Sequence, residues 1–532
     1  MAKGLPMTRR QLLSMIGYAA GASVMYQSMT SLGYAAESSY TGPVQLKGKP
    51  KKGTSVVVLG AGLAGMVAAL ELRNAGYNVK VLEYQNRAGG RNISWRRGVE
   101  HVELGGEKQV CEFDEGQYFN PGPWRIPFHH HAVLDYCKRL GVKMEPFLEL
   151  NFNSLLHSST AFDGKPQKYS HIMSDYRGGV TELLAKAVNA GALDQEVTTE
   201  DKEVLLASLK NHGALDSEYR YVKGPDSSLR RHYKKAPGGG LDGRPEYSEP
   251  IKFSDVVNSK LWANMEVHFL EEFQSTMFQP VGGMDQIGQA FYRELKDIVQ
   301  LNAKVVEIKQ DDTGVTVHYT DTNGNGDVKT ERADFCVNTI PLSVLSQIPM
   351  NVGRPMQDAI NAIPYGPSIK VGTQYKRRFW EQDEHIYGGI SYTDLPITQI
   401  SYPSAGADLF SDGKGVLLNG YMFGLDALKF GSLPVKERIA KALEYSAQIH
   451  PQIKEEAETS MVMSWSRVPW TLGCFGVWTD KKREEHYDNL CRMDGRIVLA
   501  GEHASYIPAW QEGAVLSGIA AIEQLHEKAM AK

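Results

Sequence analysis

The 532-residue chain has little cysteine, no excess of charge of either sign and no long apolar run outside its first residues. Its five cysteines (Cys111, Cys137, Cys336, Cys474 and Cys491) are scattered and form no CxxC pair. Neither a disulfide framework nor a zinc ribbon is therefore legible, although one isolated disulfide stays open. Lys and Arg number 58 against 62 Asp and Glu, a formal net charge of −4. That balance excludes the global basic field of a nucleic-acid or anionic-membrane binder, so the expected partners are small molecules. No internal repeat or low-complexity segment is present. With 42% hydrophobic residues the chain can bury a large core, and at ~100–200 residues per domain it holds two or three domains.

What is present begins at the N-terminus. "MAKGLPMTRRQLLSMIGYAAGASVMY" joins a basic segment with Arg9 and Arg10 to a weakly apolar run from Leu12 to about Tyr26, and small residues follow at Gly33, Ala35 and Ala36. The run is interrupted and shorter than the ~20 residues a membrane-spanning helix needs, which predicts a removed leader over 1–36. "TRRQLL" resembles a twin-arginine signal, whose pathway carries proteins already folded around a cofactor; a chance Arg pair is the alternative. The expectation is export, periplasmic or secreted. Residues 37–53 are polar and basic and predict a linker.

From residue 54 the pattern is strand, glycine-rich turn, helix, strand: "SVVVLG", "LAGMVAALELRNAG", "NVKVLE". Gly60, Ala61, Gly62, Leu63, Ala64 and Gly65 make GxGxxG between the first strand and the helix. There the first glycine makes the turn, the second admits a pyrophosphate, and the third lets helix and strand pack closely. Glu83 ends the second strand at the spacing of a carboxylate that holds a ribose diol, and it would repel a 2′-phosphate. Gly238, Gly240 and Gly243 also match GxGxxG, but they follow no strand and predict a flexible loop. Gly89, Gly90 and Arg91 in "RAGGR" offer further backbone NH groups and a guanidinium to the cofactor's phosphates.

GAGLAG, Glu83, "RAGGR", "ELGGE", "NAKVVEI" and the terminal "AGEHASYIPAWQEGAVLSG" together resemble the FAD-containing amine oxidases over nearly all of the chain after residue 53. Within that superfamily "GPWRIP", with Pro123, Trp124 and Arg125, is similar to the stretch by which L-amino acid oxidases hold the substrate carboxylate. A guanidinium can grip a carboxylate through two parallel hydrogen bonds, yet on pattern alone Arg125 serves a salt bridge to an acid elsewhere equally well. In the relatives "ELGG" runs almost directly into the Arg motif, whereas "EKQVCEFDEGQYFN" intervenes here; the helical pattern "HAVLDYCKRLG" that follows favours a surface insertion.

The resemblance implies more. Lys370 in "SIKVGTQYKRRFW" would hold a water at flavin N5, and Tyr402 in "ISYPS" would share the substrate carboxylate. Val305, Gly501, Glu502, Gln511 and Ala514 would touch the cofactor, Trp465 would lie along the isoalloxazine, and Ala509 and Trp510 would wall the substrate site. Pattern alone gives an edge-strand lysine for Lys370, a core tyrosine for Tyr402 and core packing for Trp465. Relatives commonly have Gly where Ala509 stands, and the methyl is tolerable where φ stays negative. The last helix would aim its N-terminal NH groups at the flavin.

The run His129, His130, His131 invites a metal reading. Successive helical residues point about 100° apart, so the three cannot share one ion, and His131 with Asp135 offers too few ligands. No metal is expected.

The sequence thus predicts an α/β fold in which a Rossmann-like FAD domain is assembled from discontinuous segments, 54–115, 276–340 and 481–532. A substrate-binding and helical region spans 116–275 and a substrate-binding sheet domain 341–480. The activity implied is FAD-dependent oxidation of L-amino acids by O2 to 2-oxo acids, ammonia and hydrogen peroxide, in a homodimer or higher homo-oligomer. Mono- or polyamine oxidases, amino-acid 2-monooxygenases and non-catalytic flavin-binding proteins are the alternatives.

Overall fold

A computed structural model describes residues 38–191, 198–404 and 413–531. The leader expected over 1–36 lies outside the described residues.

Ser55–Leu59 carries three consecutive valines, and its side chains alternate between two cores, as the central strand of a parallel sheet requires. Val56 and Val58 pack with Met66, Val67 and Ile522 on one side. Val57 and Leu59 pack with Ile308, Val317 and Ile360 on the other. The sheet has five strands, all parallel, in the order Val299–Gln300, Asn78–Leu82, Ser55–Leu59, Phe335–Asn338 and Ile497–Leu499. The expected union of the first and last blocks is therefore present. Helices Leu63–Asn74 and Gln511–Met530 cover one face, and the antiparallel meander Ala303–Gln310, Val315–Asp321 and Val328–Ala333 covers part of the other.

The second body is a seven-stranded mixed sheet ordered Ala457–Ser464, Ser368–Tyr375, Gly415–Phe423, Gln399–Ser401, Ile390–Thr393, Leu155–His157 and Gln167–Lys168. Every residue of Ser368–Tyr375 is buried. Ile369 and Val371 enter the core beneath helix Val435–Ile449, so alternation turns Lys370 to the opposite face. Lys370 is thus on a central strand, not an edge. A helical region, Tyr169–Asn189, Thr199–Gly213, Pro225–Arg231 and Phe253–Ser259, lies beyond this sheet, held by the buried pair Arg231–Asp175 at 2.8 Å.

Two expectations need correction, and one possibility left open is closed. The segment after "ELGG" is not a surface insertion. Lys108–Val110 pairs with Glu100–Val102, and Cys111, Phe113 and Phe119 are buried with Trp95, Met461, Met463 and Trp465. Gln109 donates to the carbonyl of Val462 at 2.8 Å and accepts from its NH at 2.9 Å, filling the ladder positions of the outermost strand. Residues 38–53 are no free linker either. Tyr40 donates to Asp135 at 2.6 Å, Ser38 bonds Glu512, and His526 bonds the Lys47 carbonyl at 2.8 Å. Finally, all five cysteines are free, so the isolated disulfide does not form. The second GxGxxG is an exposed loop closed by Gly238 NH on the Gly243 carbonyl, as expected.

Candidate active site

A cavity of about 570 Å³ runs from the end of the parallel sheet to the face of the seven-stranded sheet that carries Lys370. Its first part is lined by Gly60, Gly62, Ala64, Glu83, Gly89, Gly90 and Arg91. Gly60 has φ of +101°, the region glycine favours, and turns the chain from strand into helix. A Cβ on Gly65 would stand 2.0 Å from the Gly60 carbonyl oxygen, so this glycine serves close packing and does not line the cavity. A Cβ on Gly62 would meet nothing within 4 Å, so the space the second glycine keeps open belongs to a ligand. Ala61 is also behind the wall. Its NH donates to Glu83 at 2.6 Å and its carbonyl accepts from Gly89 at 2.8 Å, which ties the two glycine loops together.

Glu83 accepts a second backbone bond from Gln85 at 2.8 Å, and burial raises its pKa against the pull of those donors. Arg91 lines the cavity with its Nη1 committed to the Cys474 carbonyl at 2.6 Å and to Glu502 at 2.8 Å. Burial opposes its charge most strongly, but Glu502, Tyr365 and Cys474 together more than offset it and raise its pKa. Val305, Gly501, Glu502, Gln511 and Ala514 line the same space, and Gln511 opens helix Gln511–Met530. An opened glycine turn, a helix start, a ribose-facing carboxylate and a fixed guanidinium fit the dinucleotide part of FAD.

At the far part the wall is Pro123, Trp124, Arg125, Lys370, Tyr421, Trp465, Ala509 and Trp510. Lys370 Nζ donates to the Gly122 carbonyl and, at 3.4 Å, to that of Asn120. It sits 4.6 Å from the Trp124 ring and 4.4 Å from the Tyr421 ring. Burial pulls its pKa down to about 7, with Cys474 opposing and Arg125 adding to the fall. Trp465 is fixed by its indole NH on the Pro121 carbonyl at 2.9 Å. The buried segment before Arg125 thus positions both Lys370 and Trp465.

Arg125 is where both of its sequence readings meet. It lines the cavity and is 3% exposed. Its guanidinium lies 5.1, 4.9 and 5.9 Å from the rings of Trp124, Phe273 and Trp510. Yet Nη1 donates to both oxygens of buried Glu149, at 3.0 and 2.9 Å. The acid partner exists, buried behind the cavity wall that Arg125 lines.

One site expectation is overturned, and the condition set for Ala509 is not met. Tyr402 does not reach the cavity. It is buried in the core under helix Val435–Ile449, with its hydroxyl between Ser391 at 2.6 Å and His450 at 2.5 Å. The tyrosine beside Lys370 in the far part of the cavity is Tyr421, whose backbone stands directly across from Lys370 in the antiparallel register. Ala509 does not keep φ negative; its φ is +68°, the conformation for which glycine is suited.

The histidines divide. His131 opens helix His131–Arg139, His130 is buried edge-on to Trp510 at 5.0 Å, and His129 bonds Gln274 at 3.1 Å. Among the described residues no group of three or more His, Cys, Asp or Glu could hold a metal.

Sequence reasoning missed Tyr421, Glu149 and the carbonyls of Asn120 and Gly122. Tyr421 carried a signal, since a strand antiparallel to Ser368–Tyr375 must place some residue opposite Lys370. Glu149 carried none, because nothing in its spacing points to Arg125.

Residues 63–526 match the family model for flavin containing amine oxidoreductases. The chain is 27% identical over 475 residues to a putative L-amino-acid oxidase, YobN, of Bacillus subtilis (strain 168), covering 87% of this chain and 93% of that one. It is 27% identical over 485 residues to an L-amino-acid oxidase of Vipera ammodytes ammodytes, covering 88% and 92%. Among solved structures it resembles putrescine oxidase bound to putrescine, with a TM-score of 0.59, 20% identity, and coverage of 91% and 100%. Cyclohexylamine oxidase from Brevibacterium oxydans gives a TM-score of 0.58 at 17% identity, covering 90% and 100%. The chain belongs to the flavin-containing amine oxidoreductase family, with FAD as its cofactor.

Proposed function

We propose that the protein is an L-amino acid oxidase, exported and acting as a homo-oligomer, that converts L-amino acids and O2 to 2-oxo acids, ammonia and hydrogen peroxide. The observation that carries the reading is Arg125, a buried guanidinium in the cavity wall that Lys370 shares. The relatives named L-amino-acid oxidase support it.

Arg125 and its three aromatic neighbours form a rigid anchor for the substrate carboxylate, and charge-assisted bonds to it contribute about 1.5–3 kcal/mol each. Anchoring one end of the substrate turns the Cα–H toward the flavin and makes its removal effectively intramolecular. Trp124, Trp465 and Trp510 exclude water there. Lys370, held mostly neutral above pH 7, accepts a proton from the substrate ammonium directly or through a water, because only the free amine is readily oxidised. Bound FAD supplies the two-electron acceptor and the site at which O2 takes the electrons.

One observation favours a second reading. Glu149 already balances the charge of Arg125, and a site with a neutralised anchor also suits simple amines. Purified holoenzyme decides between them. Peroxide and ammonia from L-amino acids, but not from their decarboxylated amines or from D-amino acids, support the first reading. The reverse preference rejects it.

A further inference from the structure

Residues 38–53 are tied to both ends of helix Gln511–Met530, whose start lines the cofactor cavity through Gln511 and Ala514. At the near end Ser38 donates to Glu512, the second residue of that helix. At the far end His526 donates from Nε2 to the Lys47 carbonyl at 2.8 Å and accepts the Tyr77 hydroxyl on Nδ1 at 2.8 Å. Between the two ties Tyr40, Val44 and Leu46 turn inward onto the core that holds Ile522 and Leu525, while Thr41, Pro43 and Gln45 face out. The segment joins none of the described sheets, so these contacts hold it in place of a ladder.

Glu512 is fully buried and joins three parts of the chain. Its carboxylate accepts the NH groups of Ala132 and Val133, both at 2.9 Å, at the start of helix His131–Arg139, and also the Ser38 hydroxyl. One acidic side chain in the first turn of one helix thus completes the free NH groups of another. Tyr40 ties the segment to the same place, donating to Asp135 of the second helix at 2.6 Å. On the cavity side, Gln511 accepts from Asn92 at 2.7 Å, and Asn92 follows Arg91 in the cavity wall. Bonds therefore run without a break from Ser38 through Glu512 and the helix start to the loop at Arg91. Burial already opposes the charge of Glu512, and the Ser38 bond counters it.

We propose that residues 38–53 are a strap that locks the start of helix Gln511–Met530 at the bound FAD, so that flavin retention and docking of the strap depend on each other. Ser38 and Tyr40 are then positioning residues, which act on the cofactor through Glu512 and helix His131–Arg139. The cofactor and the strap order the same helix start, and each spares the other part of the entropy cost of doing so. The coupling is reciprocal: whatever the strap adds to flavin binding, flavin adds to docking of the strap.

The test follows flavin release from diluted holoenzyme by the rise in flavin fluorescence, with the melting temperature of each protein after flavin is stripped. In Ser38→Ala/Tyr40→Phe flavin should leave roughly tenfold faster, the effect of losing part of a charge-assisted hydrogen bond, while the stripped protein melts as the unaltered one does. Tyr77→Phe cuts a buried bond at the far end of the same helix and serves as the contrast. It should lower the melting temperature and leave flavin release within a factor of about two. Release from the double variant no faster than from Tyr77→Phe overturns the proposal, as does an equal fall in melting temperature of the two stripped proteins. Hydrogen exchange on the unaltered chain needs no variant to fold. Amides of residues 38–48 should exchange roughly tenfold faster without flavin than with it, and those of helix Thr199–Gly213 equally in both. Equal exchange of residues 38–48 in the two forms overturns the strap.

Discussion

At the nucleotide end of the cavity, Gly60, Gly62, Glu83, Gly89 and Gly90 fall within one βαβ unit and the loop after it, and they act largely through backbone NH groups and missing side chains. At the reacting end, Arg125, Lys370, Tyr421, Trp465 and Trp510 come from separate segments of the chain and act through side chains. The first kind of site is set by local chain geometry. The second exists only once two bodies, the parallel sheet and the seven-stranded sheet, have been folded against the loops between them. The ends should therefore fail in different ways when altered.

The largest contrast lies within the glycine turn. Gly65→Ala forces a methyl to within 2.0 Å of the Gly60 carbonyl, and a clash with backbone cannot relax cheaply. It should destabilise the chain by on the order of 3 kcal/mol and abolish flavin retention. Gly62→Ala points its methyl into open space and should fold normally while losing flavin. Melting temperature and flavin absorbance per protein separate the two, and equal melting temperatures would break the distinction between a packing glycine and a ligand-facing one.

At the reacting end, Lys370→Met should keep the flavin and lower kcat by about a hundredfold or more. In the unaltered enzyme kcat should fall as pH drops below about 7, where Lys370 gains its proton, and that limb should vanish in the variant. The same shift acts on stability. The folded chain holds the Lys370 pKa below its ordinary 10.5, so folding disfavours the protonated form. Its contribution to stability is undiminished above pH 10.5, declines as pH falls toward 7, and is constant below that. Lys370→Met should therefore stabilise the chain more at pH 6 than at pH 10, as denaturant titrations would show.

Smaller effects sharpen the tyrosine correction. Tyr421→Phe should change kcat or KM. Tyr402→Phe should leave both within a factor of about two while reducing stability by about 1–3 kcal/mol, because its lost bonds to Ser391 and His450 are in a remote core. The smallest effect expected is from Ala509→Gly, a gain of about 1 kcal/mol from relief of the positive φ, measured by the same titrations.

The same division explains what was legible in the sequence. The βαβ unit, the roles of Gly60, Gly62 and Gly65, and Glu83 could be read because hydrophobic period, turn chemistry and ligand contact share a few adjacent residues. Lys370 and Trp465 were placed by resemblance, and strand alternation supported only the face of Lys370. Tyr402 and Tyr421 could not be told apart by neighbourhood, since both lie in or beside strands of one sheet and only the register with Ser368–Tyr375 separates them. The segment after "ELGG" reads as a surface insertion because the helical pattern that follows it fits the relatives without it, and only the folded chain shows Cys111, Phe113 and Phe119 to be buried. Glu149 was invisible because a salt bridge has no sequence period.

The most direct measurement is the ratio of kcat/KM for an L-amino acid to that for its decarboxylated amine, in the unaltered enzyme and in Arg125→Met/Glu149→Gln, a pair of changes that leaves no unpaired buried charge. A guanidinium that anchors the carboxylate should give a ratio far above one that falls by about a hundredfold or more in the double variant. A ratio that is the same in both proteins would contradict it, and would leave the Arg125–Glu149 pair as a structural salt bridge at the cavity wall.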